Sequence, residues 1–156
     1  MVSEVMVELH DFVHGGGLQD SSYVPLNSPL RLRFQYSVSH TVEKPKWALT
    51  FVADIADKRR VVELLPPMNV KNELMHEPYK TYDGVPPLSP GERYVAEFQI
   101  ETMNLTGVER KYLEHVGALQ LVLMSDTKRV SELTVVVQVK RNDSGELMRR
   151  VLSPMV

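Results

Sequence analysis

Alternation of apolar and polar side chains with period two, repeated in several separate stretches, is what most constrains the fold of this chain. Leu30, Leu32, Phe34, Tyr36 and Val38 alternate with Arg31, Arg33, Gln35 and Ser37. Successive side chains of a strand point to opposite faces, so this stretch reads as a strand with one buried face and one wet face. Trp47, Leu49, Phe51 and Ala53 make the next strand, reached through a turn at Glu43-Lys44-Pro45. Tyr94, Ala96, Phe98 and Ile100 repeat the pattern, and so do Leu133, Val135, Val137 and Val139. Shorter candidates are residues 4–10, 60–65 and 118–125. Short strands separated by turn signals predict an all-β fold of the antiparallel sandwich kind.

One short helix is expected near residues 107–116. Thr106 and Glu109 have the spacing of a capping box, in which hydroxyl and carboxylate satisfy free helix amides. Val108, Tyr112, Leu113 and Val116 then share one stripe, and Gly117 suits the stop. Two segments read as connections: 14–29, which contains Gly15-Gly16-Gly17, and 66–91, which contains six prolines and favours neither helix nor central strand. At 156 residues the chain fits one domain, residues 1–156, with 66–91 as a Pro-rich loop.

The same residues argue against several classes of function. Eighteen basic and 20 acidic side chains are interleaved to a net charge of −2, without the clustered basic face of a nucleic-acid binder. The small clusters Lys58-Arg59-Arg60 and Arg149-Arg150 read as solvated loop or strand ends. With no cysteine there is no disulfide, thiolate metal site or cysteine nucleophile. No basic-led apolar leader and no run long enough to span a bilayer is visible, so no membrane partner is expected and an intracellular home is. His10 and His14 are the one tight histidine pair, but they straddle a strand end and a glycine loop without a third ligand, so neither a metal nor a catalytic role is expected. No Gly-x-Ser-x-Gly elbow and no phosphate loop occur. Asn104-Leu105-Thr106 and Asn142-Asp143-Ser144 read as a helix cap and a turn. A non-enzymatic protein needing no cofactor is the expectation.

The stretch Ala118-Leu119-Gln120-Leu121-Val122-Leu123-Met124 carries apolar residues on both faces. With Val122 and Met124 turned to the core, Leu119, Leu121 and Leu123 would face outward, extended by Val136 and Gln138 of the neighbouring strand. Such a patch marks an interaction surface. The alternative is that the Pro-rich segment or the carboxy-terminal residues cover it.

In order of elements the chain resembles the anti-silencing-function histone chaperones. The resemblance runs from Leu30-Arg-Leu-Arg-Phe34 through a hairpin to Trp47-Ala-Leu-Thr-Phe51-Val52, where the family has a Trp-x-Leu-x-Tyr-Val strand. Val62-Glu-Leu-Leu-Pro-Pro67 stands where the family has Val-Leu-Val-Gly-Pro-Val-Pro. Glu97–Glu101, Ala118–Ser125 and Val135–Asn142 look like later strands, the second of them the one that carries histone-binding valines, here Leu119 and Leu121. The family signature Gly-Tyr-Tyr-Val-Asn-Asn-Glu-Tyr is replaced by Thr134–Asn142, an arginine position falls at Thr134, an acidic position falls at Lys58-Arg59, and Lys71–Gly91 is an insertion. The resemblance implies an immunoglobulin-like sandwich that docks a partner helix or strand, with core histones as partner and the nucleus as compartment. Readings of other classes are a subunit or adaptor of a ciliary or cytoskeletal assembly with a non-histone partner, and a lipid-carrier sandwich of prenyl-binding type.

Overall fold

The structure, a computed structural model, describes residues 5–15, 23–68, 73–74 and 87–152. In chain order the elements are β1 (Val7–Gly15), β2 (Val24–Pro25), β3 (Leu30–Val38), β4 (Pro45–Ala53), β5 (Arg60–Met68), β6 (Glu73–Leu74), β7 (Tyr94–Ile100), α1 (Arg110–Leu113), β8 (Gly117–Ser125), β9 (Lys128–Arg141) and β10 (Leu147–Val151). Among the described residues they form two sheets, one in the order β1-β3-β7-β6 and one in the order β2-β10-β9-β8-β4-β5. Every strand pairing is antiparallel. The fold is therefore the all-β, two-sheet sandwich that the alternation predicts.

The buried parity of each strand meets the other sheet. Leu30, Leu32, Phe34, Tyr36 and Val38 of β3 and Tyr94, Ala96 and Phe98 of β7 form one wall of the core. Trp47, Leu49, Phe51 and Ala53 of β4 form part of the other, with Val135 and Val137 of β9. Aromatic rings fill the space between. The Trp47 ring lies edge-on to Phe34 at 5.3 Å, to Tyr36 at 5.3 Å and to Phe98 at 6.2 Å. Edge-to-face contacts of this kind add to the area they bury, because the positive ring edge meets the negative ring face. Trp47 Nε1–H donates to the Tyr36 hydroxyl at 3.3 Å, so the buried indole keeps a polar partner. Burial pushes the Tyr36 phenol well above its ordinary value.

Several expectations are corrected. Pro66 and Pro67 lie in the last part of β5, whose partner is β4. The strand is at the edge of its sheet, and the two prolines fall in a register shift between the pairs Leu49–Leu65 and Trp47–Met68, where proline is tolerated. The remainder of the expected Pro-rich loop lies largely outside the described residues, but its far end returns to the body: Leu88 is buried and exchanges two backbone hydrogen bonds with Val42, each 2.9 Å. Of the expected connection 14–29, residues 14 and 15 belong to β1, residues 24 and 25 are β2, and 16–22 lie outside the described residues.

The helix is a single turn. Glu109 occupies its N-cap without a side-chain capping bond. Thr106, expected to cap, donates its hydroxyl to Asn104 Oδ1 at 2.8 Å, and the same oxygen accepts the Thr106 amide at 3.3 Å. The Asn side chain thus closes a turn on Thr106 and removes the cap from the box. Downstream, the Val116 carbonyl accepts Ile55 N–H at 3.0 Å, so the backbone there is already pairing sheet-fashion. Gly117 opens β8 rather than merely ending a helix. A Cβ at that position would sit 2.6 Å from Phe51 Cζ and 2.9 Å from the Val52 carbonyl oxygen. Gly117→Ala should accordingly cost about 1–3 kcal/mol of stability, the usual size of an overpacking penalty. Equilibrium denaturation checks this, and an unchanged midpoint would show that β4 and β8 can part at no cost.

Candidate protein-docking face

The cross-strand register decides which side of β8 is wet. Trp47 pairs with Leu123, Leu49 with Leu121 and Phe51 with Leu119, and directly paired residues share a face. Because Trp47, Leu49 and Phe51 face the core, the three leucines do too. Leu119, Leu121 and Leu123 are each 0% exposed and belong to the core cluster. The expected outward leucine patch does not exist. Both parities of β8 are apolar, and the bulkier side chains took the inter-sheet side.

The opposite parity of β8 lies on the outer face of the six-stranded sheet. There Val61, Val52, Ala118 and Val136 form one cross-strand row over β5, β4, β8 and β9. The inner two are fully buried, whereas Val61 is 63% and Val136 40% exposed. Leu152 continues the row, donating its N–H to the Val136 carbonyl at 2.9 Å. Val116, 47% exposed, stands two residues before Ala118. Three of the four large exposed apolar side chains among the described residues therefore gather around one dry row; the fourth, Met6, precedes β1 of the other sheet. The next rows are Glu63, Thr50, Gln120 and Thr134, and then Ala48, Val122 and Glu132. Val136 keeps its place on the exposed face as expected. Val61 and Val116 were missed, since only the pairing of strands distant in sequence brings them beside it.

Gln138, the other expected contact residue, lies on this face but its oxygen is engaged. Gln138 Oε1 accepts Arg150 Nε at 3.1 Å, Arg150 Nη2 at 2.6 Å and the Tyr23 hydroxyl at 3.4 Å. The Tyr23 ring in turn carries two cations, Lys140 Nζ at 4.1 Å from its centroid and the Arg150 guanidinium carbon at 5.2 Å. Gln138 holds this group together. At the start of β5, on the opposite parity from Val61, Arg60 pairs with Ala53, donates Nη2–H to the Tyr112 hydroxyl at 3.2 Å and lies 4.7 Å over its ring, with Lys111 at 5.1 Å. The Arg60 hydrogen bond holds the Tyr112 phenol below its ordinary value.

The remaining sequence candidates fall elsewhere. His10 Nε2 lies 2.8 Å from Ser37 Oγ in the four-stranded sheet, and the side chain of His14 lies outside the described residues. Lys58 and Arg59 are exposed in the β4–β5 turn. The turn is tied to Asp54, whose carboxylate accepts Lys58 N–H at 3.2 Å and whose carbonyl accepts Arg59 N–H at 2.9 Å. Arg149 is corrected outright: it is 2% exposed, with its guanidinium on four backbone carbonyls, while Arg150 next to it is on the outer face. Asn142 closes the β9–β10 turn as expected, its Oδ1 accepting Ser144 N–H at 3.0 Å and Glu146 N–H at 2.8 Å.

Fold and surface together define a β-sandwich whose outer sheet face carries one apolar row with cations beside it. No protein-family model matches the chain, and no curated protein matches it. Among the described residues no helix is long and apolar enough to cross a membrane.

Proposed function

We propose that this chain is a non-enzymatic protein-binding domain, an adaptor or chaperone that docks a partner helix or strand on the outer face of its six-stranded sheet. The observation behind the proposal is the gathering of exposed Val61, Val116 and Val136 around the buried row of Val52 and Ala118. Exposed apolar side chains grouped on a sheet face are removed from water when a partner covers them. The resemblance to the anti-silencing-function chaperones, with their immunoglobulin-like sandwich, supplies core histones as a first partner to try. The cations Lys140 and Arg150 beside the row weigh towards a second, non-histone partner, because a basic protein would be repelled there. The lipid-carrier reading gains no support, since edge-to-face aromatic rings occupy the space between the sheets.

The test is a titration of purified core histones against the wild type and the double variant Val61→Asp, Val136→Asp. On this reading the double variant loses about 2 kcal/mol or more of binding, as central contact positions do. Wild-type binding that the double variant retains in full would remove the docking face. Absence of wild-type binding would leave the non-histone partner.

A further inference from the structure

Resting on that docking face, we infer that its partner segment is acidic, carrying a carboxylate next to the aliphatic side chain that covers Val136. The face is electrically lopsided. Val136, Gln138 and Lys140 follow one another on one side of β9, and Arg150 pairs with Gln138 across β10. Arg150 and Lys140 thus stand one and two rows from the apolar row, held over the Tyr23 ring. Among the described residues neither has an ion pair with a carboxylate of this chain; Arg150 is occupied by a neutral amide oxygen, and Lys140 by a ring face.

Fixed cations with no ion pair among the described residues attract a carboxylate, and an aromatic platform beneath them lowers the entropy lost in ordering them. The acids of the same face, Glu63 and Glu132, lie on the opposite side of the apolar row, and Arg129 already binds Glu132 at 2.7 Å. An acidic-aliphatic segment fits this surface, while a basic one would meet Lys140 and Arg150 directly.

The probe is an immobilised panel of twelve-residue peptides in three sets, pairing leucine or valine with aspartate and glutamate, with lysine and arginine, or with serine. Wild-type protein should be retained best by the acidic set, and raising salt should weaken retention. Lys140→Glu with Arg150→Glu should lower acidic-set binding by about fivefold or more and move preference to the basic set. Lys140→Glu alone, which leaves the Arg150–Gln138 contact intact, should shift it part way if the double variant folds poorly. Val61→Asp with Val136→Asp should lower retention on all three sets, which reports on the docking face itself. Equal retention of the acidic and serine sets, preference for the basic set, failure of every set, or a charge-reversed variant with unchanged preference would each overturn the inference.

Discussion

Replacing Leu121 with arginine should abolish cooperative folding, whereas Val136→Arg, two strand faces apart in environment, should leave the melting temperature within a few degrees of wild type. Leu121 is 0% exposed, central in β8, and paired on its two sides with Leu49 and Leu133. Truncating a leucine of that kind costs about 2–5 kcal/mol through lost transfer energy and the cavity left behind. An arginine adds an unpaired buried charge, several kcal/mol more by most measures. Set against a total stability of roughly 5–15 kcal/mol, the sum leaves little or nothing. Val136 is 40% exposed, and surface substitutions usually stay within about ±0.5 kcal/mol. Thermal melts followed by circular dichroism, with the two variants in parallel, check the ranking. A Leu121→Arg protein that melts like wild type would mean that β8 is displaced by one residue, since a one-residue slip exchanges its two faces.

The fold was legible because β3, β4, β7 and β9 each carry their largest apolar residues at every second position, and that spacing points to one inner face. Leu30 to Val38 is the plainest case: all five apolar residues are in the core cluster. The helix was overread because its signature, Thr106 with Glu109, is also compatible with a turn closed by Asn104, and three residues of sequence do not say which acceptor the hydroxyl takes. The edge placement of β5 was hidden by Pro66 and Pro67, which argue against a central strand but not against a border one.

The candidate face was legible only in part, and β8 shows why. With Ala118, Val122 and Met124 on one parity and Leu119, Leu121 and Leu123 on the other, both faces of this strand are apolar, and periodicity carries no information about direction. The deciding quantity is register against β4, where Trp47 and Phe51 have an unambiguous inner face. Leucine volume offers a second clue, because large side chains fill the space between sheets while alanine and valine can be buried flat on the outside by their neighbours. Val61 and Val136 are 75 positions apart and share a row only through Val52 and Ala118. No local pattern could join them.

Arg149→Met should destabilise the protein by about 1–3 kcal/mol or more, the cost of leaving buried hydrogen-bonding groups without a partner. Arg149 sits between Leu147 and Val151 on the buried parity of β10, an unusual place for a guanidinium. Its Nη1 donates to the carbonyls of Leu26 at 2.7 Å, Ser28 at 2.9 Å and Pro25 at 3.2 Å, and its Nη2 to Pro29 at 2.8 Å. These carbonyls run from the end of β2 through the turn that leads to β3, so one side chain of the six-stranded sheet ties down the chain where it crosses to the four-stranded one. Burial lowers its pKa to about 10, still far enough above neutral pH to keep it charged. Four carbonyl dipoles turned on one cation supply the counter-charge that a carboxylate would otherwise give. Methionine has a comparable length and no donor, so the turn would lose its tie while the volume stays filled. Arg149→Lys should fall between the two, since an ammonium offers three donors from one point and cannot span the carbonyls as the planar fork does. Denaturant midpoints rank the three proteins, and amide exchange locates the damage: Leu26 N–H is bonded to the Leu147 carbonyl at 2.9 Å and Ser28 N–H to Pro25 at 3.0 Å. Both amides should exchange faster in Arg149→Met, by more than the global loss of stability alone gives. If the methionine variant matches wild type in midpoint and in exchange at Leu26 and Ser28, the turn is held by its own backbone bonds and the arginine is dispensable.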